Sequence, residues 1–288
     1  MLAEPVTAPR LKIRDLKPGF GAEILGVNLA KADEATLREV VDVFQKNGAI
    51  ALRQQSMSPD DLVRFVSAFG TPEGHTMSQY TLPGYPLVYV LSNRVENGRP
   101  VGAHYDGLGW HTDYSYKSEP VMCTMLYCVQ APPEGADTLL ADGVAAYNEL
   151  PPERQAALQK LRLHHSYQHF MATREHHRAE LTEKQKAENP DVIHPLIRTH
   201  PANGRKALWP STGTVTEIIG QDDPRDLSLL DELIAFLTQE KFVYRHKWRV
   251  GDLLMWDNRC TLHTGSEFDH ENYIREMHRL WVRGDKPY

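Results

Sequence analysis

Short strand-like segments dominate this chain, and helices do not alternate with them in any regular way. AEILGV, AIALR, LVYVLS, VMCTMLYCV, TLLAD, VIHPLIRT, FVYRHKWRV, DLLMWD and MHRLWVR are rich in aliphatic, aromatic and β-branched residues. Parallel strands need a long crossover, usually a helix, between them, and that pattern is missing. The segments therefore predict an α+β fold around a mostly antiparallel pair of sheets. Three helices are signalled. Leu37, Val40, Val41 and Phe44 follow the spacing of a buried helical stripe, with Asp33 placed to cap it. Ser58, Pro59 and Asp61 form a helix-start signature ahead of Leu62, Phe65, Val66 and Phe69. Leu230, Leu233, Ile234 and Leu237 mark the third.

With 288 residues, 41% of them hydrophobic, the chain can bury a substantial core, and residues 1–288 are expected to form one domain. A net charge of −6 without a basic stripe argues against a nucleic-acid partner. No stretch approaches the length of a membrane span, and MLAEPVTAPRLKIRDLKPGF lacks an apolar signal core, so a cytoplasmic protein with no membrane partner is expected. Cys123, Cys128 and Cys260 have neither CxxC spacing nor an even count. Buried, inert thiols are the natural reading, not disulfides or a zinc knuckle.

His111 and Asp113 in GWHTDYSY, and His263 in MWDNRCTLHTG about half the chain further on, are the residues that carry chemistry. Two imidazoles and a carboxylate are the ligand set of the non-haem iron facial triad, which leaves open positions opposite the protein. On an extended segment His-x-Asp would place both side chains on one face, and the third ligand would come from a neighbouring strand. Residues 94–109, rich in turn formers, precede this motif and are expected to form an active-site loop. Residues 173–191 are highly charged and read as a solvated surface insert.

Arg275 and Arg279 follow His263 and lie four apart around the strand-like MHRLWVR, so alternation would turn them to the same side. Guanidinium groups grip carboxylates bidentately. Two of them aimed at a metal pocket suggest two anions, a cosubstrate and a substrate. The bland alternative is that they are solvated arginines paired with Glu271, Glu276 or Asp285.

The ordered pieces GAEILGVNL, FGTPEGH, WHTD, GADTLLADGVAAYNELP, HPLIRTHPANGRKALW, FVYRHKWRVGDLLMWDNRCTLH, REMHR and GDKP run from about residue 20 to residue 287. In that order they resemble the TauD/TfdA family of Fe(II)- and 2-oxoglutarate-dependent dioxygenases. The resemblance implies a double-stranded β-helix, or jelly roll, with flanking helices. It implies Fe(II) held by His111, Asp113 and His263, with 2-oxoglutarate and O2 as cosubstrates and succinate and CO2 as products. Asp113 favours oxygen insertion, since related halogenases lack this carboxylate. Arg275 and Thr138 match the family's cosubstrate clamp. Arg279 matches the position that holds the substrate's anionic group, His75 matches a substrate-binding histidine, and Tyr114 would offer its backbone N–H to the same anion.

The small-molecule substrate implied is an organic acid, sulfonate, sulfate ester or aryloxyalkanoate. Relatives are commonly dimers or tetramers, so a homo-oligomer is expected. Departures from the taurine pattern, Gly107 for an asparagine and Ser78 for a tyrosine, with His104, Tyr105 and Asp106 nearby, disfavour taurine itself. His164, His165, His169, His176 and His177 read as structural or surface histidines, and His194 and His200 match structural positions of the family. His278 should point away from the arginine face, while Trp110, Trp209 and Trp256 read as core or pocket wall. Two other readings use the same residues. A zinc hydrolase accepts the same ligands but has no need of a Thr138/Arg275 clamp. A non-catalytic jelly-roll binding protein would be expected to have lost a ligand, and none is missing.

Overall fold

The computed structural model describes residues 11–75, 78–104, 107–173 and 181–288. Tyr105, Asp106, His176 and His177 lie outside the described residues. Helix α1 (Glu34–Asn47) begins where the Asp33 side chain accepts from the Thr36 N–H, and it ends at Gly48, in the left-handed region at φ 74°. Leu37, Val40 and Phe44 form its buried stripe. Helix α2 (Pro59–Ser67) starts with the expected capping box between Ser58 and Asp61. Phe69 lies beyond this helix, because the chain turns at Gly70, φ 149°. It still packs edge-on to Phe44 and Phe65, at 5.3 and 5.2 Å.

Seven strands build the backbone of the large sheet: β1 (Lys12–Lys17), β2 (Phe20–Leu25), β3 (Ala49–Leu52), β4 (Tyr85–Ser92), β5 (Cys123–Gln130), β11 (Leu253–Asp257) and β13 (Glu276–Val282). Their spatial order is β1-β2-β3-β11-β5-β13-β4, antiparallel except for β2 with β3. A smaller antiparallel sheet sets β6 (Thr138–Asp142) between β10 (Val243–His246) and β12 (Thr261–Gly265). A third joins β7 (Arg162–His165) to β8 (Val192–Pro195) and β9 (Val215–Ile219).

Period-two alternation gives the large sheet two apolar faces. Leu253 and Met255 of β11, with Met125 of β5 and Leu280 of β13, pack under α1 and α2. The intervening Leu254, Trp256, Leu126 and Trp281 turn inward and share a core with Leu140 of the small sheet. Two sheets around one interior, with helices outside, make the α+β jelly roll. Each fully buried leucine in these layers contributes about 2 kcal/mol of transfer free energy.

Three local expectations are corrected. VIHPLIRT divides into β8 and a separate strand, Ile197–Thr199, in another sheet. Proline has no N–H for a ladder, and after Pro195 the Leu196 N–H crosses to the Leu161 carbonyl. Residues 94–109 are not all loop, because Val95–Glu96 and Arg99–Pro100 pair as a hairpin. Its turn is Asn97-Gly98, both with positive φ, 49° and 74°. Helix α3 (Gly143–Glu149) follows β6 directly, capped by Asp142, within a stretch whose strand alone was expected. In the charged stretch, Glu183–Glu188 forms an exposed helix capped by Thr182.

Candidate active site

His111, Asp113 and His263 meet in space. A bridge joins His111 to His263 of β12, each N–H donating to the other's carbonyl at 3.0 and 2.8 Å. The chain then turns, with Tyr114 in the left-handed region at φ 57°. Bridge and turn, not a continuous strand, bring Asp113 to the imidazoles, which corrects the expected local geometry. Asp113 Oδ1 lies 3.8 Å from His111 Nε2, and Asp113 Oδ2 lies 3.8 Å from His263 Nε2. One ligand atom from each of the three residues lies within 4.8 Å of the others.

The protonation of the group suits a cation. His111 Nδ1 is 2.7 Å from the Gly109 carbonyl. A carbonyl can only accept, so Nδ1 carries a proton and Nε2, 3.8 Å from Asp113 Oδ1, is the nitrogen placed to ligate, as in metal-bound imidazoles. Burial pushes His263 well below the ordinary imidazole value, leaving it neutral. Burial also opposes the charge on Asp113, but the nearby Arg279 guanidinium and the Thr124 hydroxyl favour it, and the carboxyl lies below the usual range. Two imidazoles and one ionised carboxylate fit Fe(II).

Two cavities flank the cluster, of about 340 and about 230 Å³, and share Gly107, Leu108 and Arg279 as walls. His263, Thr138 and Arg275 line the larger one. His111, Asp113, Tyr114 and His75 line the smaller. The Thr138 hydroxyl accepts from the Trp248 indole N–H at 3.0 Å, which leaves its own proton to donate. Arg275 precedes β13 instead of lying on it, and the register shifts between Glu276 and Met277. A β-bulge, not plain alternation, therefore brings both arginines to one cavity.

Burial lowers the Arg275 guanidinium to about 10, so it stays charged at neutral pH. Glu276 pairs with Arg94 at 3.0 Å and Asp285 with Arg198 at 3.1 Å. Among the described residues no carboxylate pairs with Arg275, so the solvated-ion-pair alternative fails for it. Arg279 lies against the rings of Tyr89 and Trp281, at 4.8 and 4.2 Å, and its Nη2 is 3.4 Å from His75 Nε2. His75 stacks on the same two rings, at 3.9 and 4.7 Å, and Tyr114 stacks on Trp281 at 5.3 Å.

Tyr116, Tyr167 and Phe170 add an aromatic wall to the smaller cavity, with Tyr116 and Tyr167 centroids 4.4 Å apart. Trp110 lines it too. Gly107 borders both cavities, His104 borders only the larger one, and exposed Ser78 borders neither. His165, His194 and His200 are buried, and Cys123, Cys128 and Cys260 are buried free thiols.

Sequence reasoning missed the partners of Asp113. Its Oδ2 accepts from the Thr124 hydroxyl at 2.5 Å and from the Trp281 indole N–H at 3.0 Å. Asn258 in turn donates to Thr124 at 2.8 Å. Only the place of Asn258, within the stretch leading to His263, could have drawn attention to it.

A family described as "Taurine catabolism dioxygenase TauD, TfdA family" matches residues 12–281. The chain belongs to the TauD/TfdA family. It is 34% identical to an alpha-ketoglutarate-dependent 2,4-dichlorophenoxyacetate dioxygenase of Burkholderia sp. (strain RASC), over 93% of each chain. It is 26% identical to a (S)-phenoxypropionate/alpha-ketoglutarate-dioxygenase of Sphingobium herbicidovorans, over 91% of each. The crystal structure of AAD-2 with Mn(II) and N-oxalylglycine superposes with a TM-score of 0.80 at 29% identity, covering 96% of this chain and 98% of that one. A taurine dioxygenase from Burkholderia xenovorans gives 0.78 at 27% identity, covering 97% and 93%.

As a TauD/TfdA enzyme the chain is a dioxygenase that uses Fe(II), 2-oxoglutarate and O2 on a small organic substrate. Membership sets aside the zinc-hydrolase and binding-protein alternatives. No helix among the described residues is long and apolar enough to cross a membrane.

Proposed function

We propose that His111, Asp113 and His263 hold Fe(II), that Thr138 and Arg275 bind 2-oxoglutarate, and that Arg279, His75 and Tyr114 receive the anionic end of an aromatic acid. The observation that carries this reading is a charged Arg275, with no carboxylate paired to it among the described residues, and the donor hydroxyl of Thr138 in the cavity that His263 also lines. The iron and 2-oxoglutarate supply the oxidation of a C–H bond by O2, with succinate and CO2 released. The chain supplies placement. Arg275 and Thr138 orient the cosubstrate through charge-assisted hydrogen bonds.

In the smaller cavity Arg279 and His75 form a cationic and hydrogen-bonding end, while Tyr116, Tyr167 and Phe170 offer flat apolar surface. That combination favours an aryloxyalkanoate or a related aryl acid or sulfonate over taurine, which has no ring to bury. Oxygen insertion beside a heteroatom would give a product that collapses by C–O or C–S cleavage. The same reading takes residues 1–288 as one domain of a cytoplasmic homo-oligomer, a dimer or tetramer, which light scattering would check.

The test is succinate formation by purified protein with Fe(II), 2-oxoglutarate and O2 across aryloxyalkanoates, aryl sulfonates, taurine and sulfate esters, with His111→Ala as control. Stimulation by aromatic acids, lost in the variant, is expected. Stimulation by taurine but by no aromatic acid would overturn the substrate assignment, and unchanged turnover in His111→Ala would overturn the metal assignment.

A further inference from the structure

We infer that Asn258 is a positioning residue that, through the Thr124 hydroxyl, fixes which oxygen of Asp113 faces the metal. The inference rests on the reading of Asp113 as a ligand. Its logic is a proton count. The Trp256 indole N–H can only donate, and it lies 3.1 Å from Asn258 Oδ1. That contact fixes the amide orientation, so Nδ2 faces Thr124 Oγ1 at 2.8 Å. An amide N–H also only donates, so the Thr124 oxygen must accept, and its own proton goes to Asp113 Oδ2. The chain Trp256→Asn258→Thr124→Asp113 therefore runs one way and ends on a single carboxylate oxygen.

Trp281 Nε1 donates to that same Oδ2. Oδ1, the oxygen nearer His111, receives none of these donors and is left as the lone-pair donor for the cation. Asn258 is itself held without slack. It is fully buried, its carbonyl accepts from Thr112 Oγ1 at 3.0 Å and Trp209 Nε1 at 2.8 Å, and its N–H donates to the Met122 carbonyl at 2.9 Å. Asp257 and Arg259 on either side are locked by hydrogen bonds of 2.8 and 2.6 Å. One residue thus ties the segment that holds His111 and Asp113 to β5, from within the turn between β11 and β12 that leads to His263.

Asn258→Asp tests the direction of the chain with almost no change of shape. A carboxylate can accept from Trp256 but cannot donate to Thr124. The threonine proton then swings to the introduced carboxylate, and a lone pair faces Asp113 Oδ2. Thr124→Val removes the hydroxyl outright, and Thr124→Ser restores it. Purified proteins would be titrated with Co(II), reading affinity by calorimetry and ligand geometry by the visible d–d bands, with circular dichroism confirming the fold.

Loss of affinity by about 10–100-fold and altered bands are expected in Asn258→Asp and Thr124→Val, with both properties kept in Thr124→Ser. Native affinity and bands in folded Thr124→Val would overturn the inference, as would equal loss in Thr124→Ser. His111→Ala separates the two levels: undiminished Co(II) binding there would mean that the ligand reading itself is wrong.

Discussion

Arg275 and Arg279 share a cavity wall, yet their surroundings give them different work. Arg275 approaches a backbone carbonyl, that of Ala136, at 3.4 Å, and among the described residues it has no carboxylate. An incoming carboxylate can take the two Nη groups of its fork. Arg279 lies between aromatic faces beside His75, on the side where Asp113 and Tyr114 are exposed to the smaller cavity. Losing a bidentate charge-assisted pair costs about 3 kcal/mol, or roughly 100-fold in affinity. Arg275→Ala should therefore raise the KM for 2-oxoglutarate on the order of 100-fold, with Arg275→Lys recovering only part, because a point charge lacks the fork. Arg279→Ala should instead raise the KM for an acidic substrate and leave that for 2-oxoglutarate within a few-fold. Steady-state succinate assays varying each substrate in turn check both, and equal effects of the two variants on 2-oxoglutarate would defeat the division of labour.

At the scale of elements, helix α2 shows how far local chemistry decides structure. Its capping box satisfies the N–H groups of Ser58 and Asp61 reciprocally, and Ser58→Ala should cost about 1 kcal/mol. Denaturant unfolding should record that loss with unchanged succinate formation, and a loss of activity instead would tie the helix to the site. Signals contained within a few residues, such as the Asp33 cap or the Leu62–Phe65–Val66 stripe, were legible in the sequence for this reason. So was the pairing of His263 with the His111 segment. Geometry set by tertiary contact was not legible. VIHPLIRT reads as one strand until Pro195 interrupts its ladder, and the bulge after Glu276 cannot be seen in an alternating pattern. The donors that meet at Asp113 come from Thr124 and Trp281, with Asn258 behind Thr124, on strands or turns that only the folded sheet brings together. Asn97-Gly98 is a different case, a local hairpin signal hidden inside a stretch read by composition as loop.

At the scale of the whole molecule, buried neutral histidines make the fold acid-sensitive. Burial lowers His165 well below the ordinary imidazole value, His194 to about 4 and His246 to about 3. His194 illustrates why. Its Nε2 donates to the Lys117 carbonyl at 2.8 Å, and its Nδ1 is buried. Burial of a second proton's charge outweighs the backbone hydrogen bonds at Lys117 and Ser115 that would favour it. Between pH 6.5 and about 4 the unfolded chain therefore takes up a proton that the folded His194 refuses, and stability falls as pH falls, by about 1 kcal/mol per unit. Asp142 and Asp252, raised by burial, lean the other way, so a variant must isolate the effect. His194→Gln keeps a donor for Lys117 and removes the titration. Its melting temperature should fall less than that of the native chain between pH 7 and pH 5.5, by about 2–4 °C, while parallel curves would refute the assignment. The consequence reaches the substrate side. Lys117 closes the turn that begins at Tyr114, and His165 bonds Thr214, which bonds Ser115 in the same cavity wall. Protonating this histidine layer should loosen the smaller cavity. In the native chain the KM for substrate should accordingly stay flat while the folded His194 remains neutral and rise only as pH approaches about 4, and a rise already near pH 6 in steady-state succinate assays would place the weak point elsewhere.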